Sequence, residues 1–228
     1  MFIRPTIAVL TTLCLTTSLL LGGCASFRDD NRTPINSWPL KAGEKKPSIN
    51  LFVTGQAWLN EDQIPTDKVQ SNWVGQWRTQ AGKAFEDSGL FSEVKLQADE
   101  PTDLRVDVAL QMHGEYNRVL SFLLGFTFGL SSLVVPQKST ATFSATATFT
   151  DRDGHSLGEF KQSETLSTWT QLFLVFAMPF REGLQATETQ VVYDLHRAIL
   201  QESQQKNVLS GSSVASATGT SSSLRLTE

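Results

Sequence analysis

From Ser139 to Thr150 the chain reads STATFSATATFT. Ala141, Phe143, Ala145, Ala147 and Phe149 occupy every second position, with Thr or Ser between them. A period of two belongs to an extended strand, whose side chains point alternately to opposite faces. One face must be packed and the other wet, the pattern of an antiparallel sheet. Leu104–His113, LRVDVALQMH, shows the same alternation, with Leu104, Val106, Val108, Leu110 and Met112 on one face. Asp151-Arg152-Asp153-Gly154 is a turn by composition. HSLGEFKQSETLSTW, which follows it, runs back to complete a hairpin.

Two helical patterns frame these strands. Trp73, Trp77, Ala81, Ala84 and Phe85 recur at helical spacing, and Gly89 is a C-terminal stop. Leu184, Val191, Leu195, Ala198 and Ile199 form an apolar stripe within 181–202. Ile49–Leu59 and Phe91–Leu96 complete the set as strands rich in β-formers. The order β-α-β-β-insert-β-β-α predicts an α+β two-layer sandwich. Its antiparallel sheet of four to five strands is expected to be covered by two amphipathic helices on the face of Val106, Val108, Phe143 and Phe149. The element order is similar to that of several small envelope lipoproteins, including the lipoprotein partner of the lipopolysaccharide-export barrel.

The N-terminus has its own logic. Arg4 precedes an apolar run from Ile7 to Leu21 and then Gly22-Gly23-Cys24, the layout of a secretory signal. Leu21-Gly22-Gly23-Cys24 closely resembles the lipobox of bacterial lipoproteins. The resemblance implies that residues 1–23 are removed, and that Cys24 carries a covalent diacylglycerol and an N-acyl chain. It implies no other cofactor. Each buried methylene contributes about 0.8 kcal/mol, so three acyl chains anchor firmly. Ala25, rather than Asp, follows the cysteine, which by analogy with enterobacterial lipoproteins implies the outer membrane, with the domain on the periplasmic face. The other cysteine, Cys14, lies in the discarded segment. Residues 24–47 carry Pro34, Pro39 and Pro47 and are expected to form the lipidated cysteine and a flexible tether. Residues 48–204 are the single expected domain, and 205–228 a Ser/Thr/Gly-rich disordered tail.

Catalytic patterns are absent from the sequence. His113, His155 and His196 share no metal-ligand spacing, and no thiol survives maturation. Asp151 and Asp153 suit a hairpin turn better than a calcium loop, which needs a closing glutamate where Gln162 stands. No nucleophile elbow, Walker loop or dinucleotide fingerprint occurs. With a net charge of −4 and no Lys/Arg run, a nucleic-acid partner has no electrostatic basis. The expectation is a non-enzymatic protein.

The notable chemistry is apolar. Arg118 and Lys138 bracket nineteen consecutive uncharged residues, Val119–Gln137, which include Phe122, Leu123, Phe126 and Phe128. A second uncharged stretch runs from Thr165 to Phe180 and contains LFLVFAMPF with Phe173, Phe176 and Phe180. Both flank the hairpin, so both should leave the same end of the sheet. Ser121, Gly125, Gly129 and Ser132 make a small-residue stripe if the first segment is helical, and the glycines make turns if it is a bent hairpin. Val119–Val135 as a helix would measure about 26 Å, short of a roughly 30 Å hydrocarbon core. A single crossing would also put two strands of one sheet on opposite sides of the membrane. The segments could pack on each other, dock a protein or touch lipid. The leading expectation is an outer-membrane lipoprotein that binds or scaffolds an envelope partner through 119–135 and 172–180. The alternative is a lipid-binding or lipid-transfer auxiliary.

Overall fold

The computed structural model describes residues 24–29, 46–127, 135–170 and 184–209. The strands are β1 (Cys24–Arg28), β2 (Ser48–Leu59), β3 (Asp62–Gln63), β4 (Glu93–Leu96), β5 (Leu104–Tyr116), β6 (Gln137–Asp151) and β7 (Ser156–Thr170). The helices are α1 (Thr66–Val69), α2 (Gly75–Asp87), α3 (Arg118–Phe126) and α4 (Leu184–Gln205), with a π-helical turn, Gln70–Val74, joining α1 to α2.

One seven-stranded sheet has the order β1-β7-β6-β5-β2-β3, with β4 also paired to β2. The α+β class stands, but the sheet is larger than the expected four to five strands, and it is mixed. β2 pairs in parallel with both β4 and β5. The reason is the crossover through α1 and α2, which returns the chain to the end from which β2 began. β3 spans two residues and β1 five, too few for a periodic signature.

Alternation decides the faces as expected. Val106, Val108, Phe143 and Phe149 are each at most 1% exposed. They face α2 and α4, which pack on each other. α2 covers β2 and β4, and α4 covers β1, β6 and β7. The opposite face carries Thr142, Ser144, Thr146 and Thr148, all partly exposed. Gly55 is required by packing: a Cβ there would lie 2.5 Å from Trp77 Cζ3 and 2.9 Å from Val74 Cγ2. The missing side chain lets the buried Trp77 ring lie against the sheet. Gly89, at φ 62°, ends α2, and Ser88 Oγ donates to the Phe85 carbonyl at 2.6 Å.

The tether expectation needs correction at its start. Cys24–Arg28 pairs antiparallel with β7, in register Cys24 opposite Thr170 and Arg28 opposite Leu166. The sheet therefore reaches back to the cysteine, with no spacer between it and the fold. β7 would otherwise leave an unpaired edge, and β1 fills it.

Candidate functional site

The register places several features at one end of the sheet. Cys24, Thr170 and Gln137 stand side by side on β1, β7 and β6. Tyr116, the last residue of β5, pairs with Ser139, two rows further into the sheet. The polypeptide leaves β5 there and enters α3. Asn117 caps that helix, its side-chain oxygen accepting from the Leu120 amide at 3.0 Å. Two contacts fix α3 to the sheet end: Arg118 donates to Asp62 at 2.8 Å, and Gln137 Nε2 donates to Ser121 Oγ at 2.5 Å.

The first half of the uncharged segment is thus helix rather than hairpin. It points its apolar side outward. Val119 is 75% exposed, Phe122 74%, Phe126 73% and Leu123 39%. The Phe122 and Phe126 rings stack on each other with centroids 6.2 Å apart. Among the described residues, a Cβ at Gly125 would meet nothing within 4 Å. Phe128, Phe173, Phe176 and Phe180, with Gly129 and Ser132, lie outside the described residues. Among the described residues no helix is long and apolar enough to cross a membrane.

Next to this row, Lys138 on β6 pairs with Trp169 on β7, which pairs in turn with Ala25. The Lys138 ammonium lies 6.0 Å from the Trp169 ring centre. A polar cleft of about 450 Å³ opens at the same end, lined by Asn60, Glu61, Glu115, Tyr116, Asn117, Lys138 and Thr140. A second, of about 350 Å³, includes Asn50, Asp99, Glu100, Arg105 and Arg152 among its lining residues. The polar linings suit neither cleft to an acyl chain.

The histidines fall in three separate places. His113 stacks flat on Trp58, ring centres 4.4 Å apart. His155 belongs to the hairpin turn, where Asp151 Oδ1 accepts from the amides of Asp153 and His155 at 2.9 and 2.8 Å. The His155 amide leads the hydrogen bonds that hold the Asp151 carboxyl below its usual range. Ligand atoms of Asp151, Asp153 and His155 lie within 4.8 Å of one another, and the Asp151 oxygens serve the turn. His196 is fully buried. Its Nδ1 donates to the Val192 carbonyl at 2.6 Å, and burial pushes the imidazole down to about 4.

Sequence reading missed one cluster. Glu164 lies on the packed face of β7, its side chain 0% exposed, and both its oxygens bond the Arg28 guanidinium. Arg28 Nη1 also donates to Asp194 Oδ2 on α4 at 2.6 Å. Burial lowers the Arg28 pKa, but the hydrogen bonds and charges of Glu164 and Asp194 outweigh it and raise the value further. The signal was present in the alternation: Phe160, Gln162, Glu164 and Leu166 share one face, so a carboxylate had to point into the core.

No protein-family model matches the chain, and no curated protein does. Among solved structures it is similar to a PelC dodecamer subunit from Paraburkholderia phytofirmans, at 12% identity and a TM-score of 0.35 over 79% of this chain and 98% of that one. A neuraminyllactose-binding hemagglutinin homolog from Helicobacter pylori matches at 11% and 0.38, over 77% and 96%. A minor lipoprotein from Acinetobacter baumannii matches at 10% and 0.28, over 71% and 90%.

Proposed function

We propose that this chain is a bacterial lipoprotein, held in the outer membrane by lipid on Cys24, whose periplasmic domain binds or scaffolds at the membrane and does no catalysis. The observation that carries the proposal is the shared location of the anchor and the apolar surface. Val119, Phe122 and Phe126 face outward at the sheet end where Cys24 begins β1. Anything that meets them does so at membrane level. The expected envelope protein partner would then be one reachable at the bilayer surface.

Fractionation of cells making the wild type and Cys24→Ala tests this. The wild type should band with the outer membrane on a density gradient, and the variant should not mature or should leave that fraction. Equal outer-membrane recovery of both would refute the anchor.

A further inference from the structure

We infer that the exposed apolar face of α3 rests in the headgroup–acyl boundary of the same leaflet that holds the Cys24 lipid, making a second, non-covalent membrane contact. The inference rests on Cys24 being the lipidated residue. Three observations lead to it.

The first is distance. Neighbouring strands lie about 4.8 Å apart, so two spacings put Gln137 about 10 Å from Cys24. Gln137 is hydrogen-bonded to Ser121 of α3. Since β1 starts at Cys24 itself, no slack chain lets the domain stand away from the bilayer. The sheet end must sit at headgroup level, and α3 sits on that end.

The second is size and pattern. A nine-residue helix is about 14 Å long, too short to cross the bilayer but long enough to lie in its interface. Helices that do so bury an apolar face about 5–10 Å into the boundary. Val119, Phe122 and Phe126 supply that face here, each more than two thirds exposed.

The third is what rings it. Trp169 and Lys138 lie one row from Cys24, Thr170 and Gln137, and Trp169 is 37% exposed. Amphipathic aromatic rings and long cationic side chains are the residues that settle at headgroup level. Arg118 opens the helix. Glu61, Asp62 and Glu115 are also near, so attraction to anionic lipid is not the driving force. Burial of apolar surface is, and the contact should therefore resist salt.

The maturation chemistry makes the test clean. Cys14 leaves with the signal and Cys24 is acylated, so one introduced cysteine is the only free thiol. Phe122→Cys, Phe126→Cys and Val119→Cys would each be spin-labelled in the matured full chain, in vesicles of phosphatidylethanolamine and phosphatidylglycerol. Lys161→Cys, about 30 Å along β7 from Thr170, is the aqueous control. All four positions are solvent-exposed, so folding should survive, and circular dichroism checks it. Intact mass confirms acylation. The ratio of oxygen to nickel-complex collision should be several-fold higher at 119, 122 and 126 than at 161, and unchanged by salt. If acylated protein gives the same ratio at all four positions, the inference is overturned and the anchor stands. Exclusion of both reagents at 122 and 126 means a protein surface covers α3, which also overturns it. A chain with no acyl mass at Cys24 refutes the anchor reading, and with it this inference.

Discussion

Arg28→Ala should loosen the junction between β1 and the rest of the domain. The substitution leaves the Glu164 carboxylate, 0% exposed, on the packed face of β7 without its guanidinium. Removing one partner of a buried pair costs about 3–5 kcal/mol. Arg28 is itself 25% exposed, so the lower end, about 3 kcal/mol, applies. With an m-value of about 2 kcal/mol/M in urea, the midpoint should fall by about 1.5 M at pH 7, with m unchanged. The penalty has a ceiling. Among the described residues β1 pairs with β7 alone, so the strand can peel away and let water reach Glu164. If peeling is cheaper than about 3 kcal/mol, the midpoint moves less, and the Ala25–Arg28 amides lose hydrogen-exchange protection while β6 keeps its own. Arg28→Met combined with Glu164→Leu should recover most of the loss, because the buried carboxylate that needs the guanidinium is then gone as well. A midpoint within about 0.2 M of wild type, with β1 amides still protected, would refute the argument.

Two further outcomes follow from the core. His196 is buried in its neutral form at about 4, below its ordinary 6.5. The unfolded chain therefore binds more protons between those values, so stability falls as pH drops from 6.5 toward 4, by about 2–4 kcal/mol from this group. His196→Leu should flatten that slope in urea melts run across the same range. Gly55→Ala places a methyl 2.5 Å from Trp77. It should cost at least about 1–3 kcal/mol and disturb the near-ultraviolet tryptophan signal, whereas a neutral effect would mean the ring can shift.

Much of the fold was legible because local pattern and tertiary face agree. The alternation in Leu104–His113 and Ser139–Thr150 told which residues would be buried, since a strand's period leaves no other arrangement. The helical stripe from Trp77 to Phe85 did the same for α2, and Gly89 marked its end. The parallel pairing of β2 with β5 was less visible. Strand direction depends on how a crossover returns, and side-chain periodicity is the same for both directions. For the candidate site, Phe122, Leu123 and Phe126 were named from composition, yet only the α3 geometry shows them turned outward. The small-residue stripe suggested close backbone approach; no described residue approaches Gly125, and Gly129 and Ser132 lie outside the described residues.

The sequence by itself determined the strand faces, the two covering helices, the cysteine that resembles a lipidation site and the position of the apolar segment. Those are properties of neighbours along the chain. Tertiary structure decided that CASFR is an edge strand, that Arg28 reaches Glu164 and Asp194, and that Cys24 and α3 share one end of the sheet. The reason is that β1 is held to β7 by backbone hydrogen bonds, with Arg28 and Glu164 separated by 136 positions along the chain. Backbone amides are the same in every residue, so such a pairing leaves no mark in the side-chain pattern.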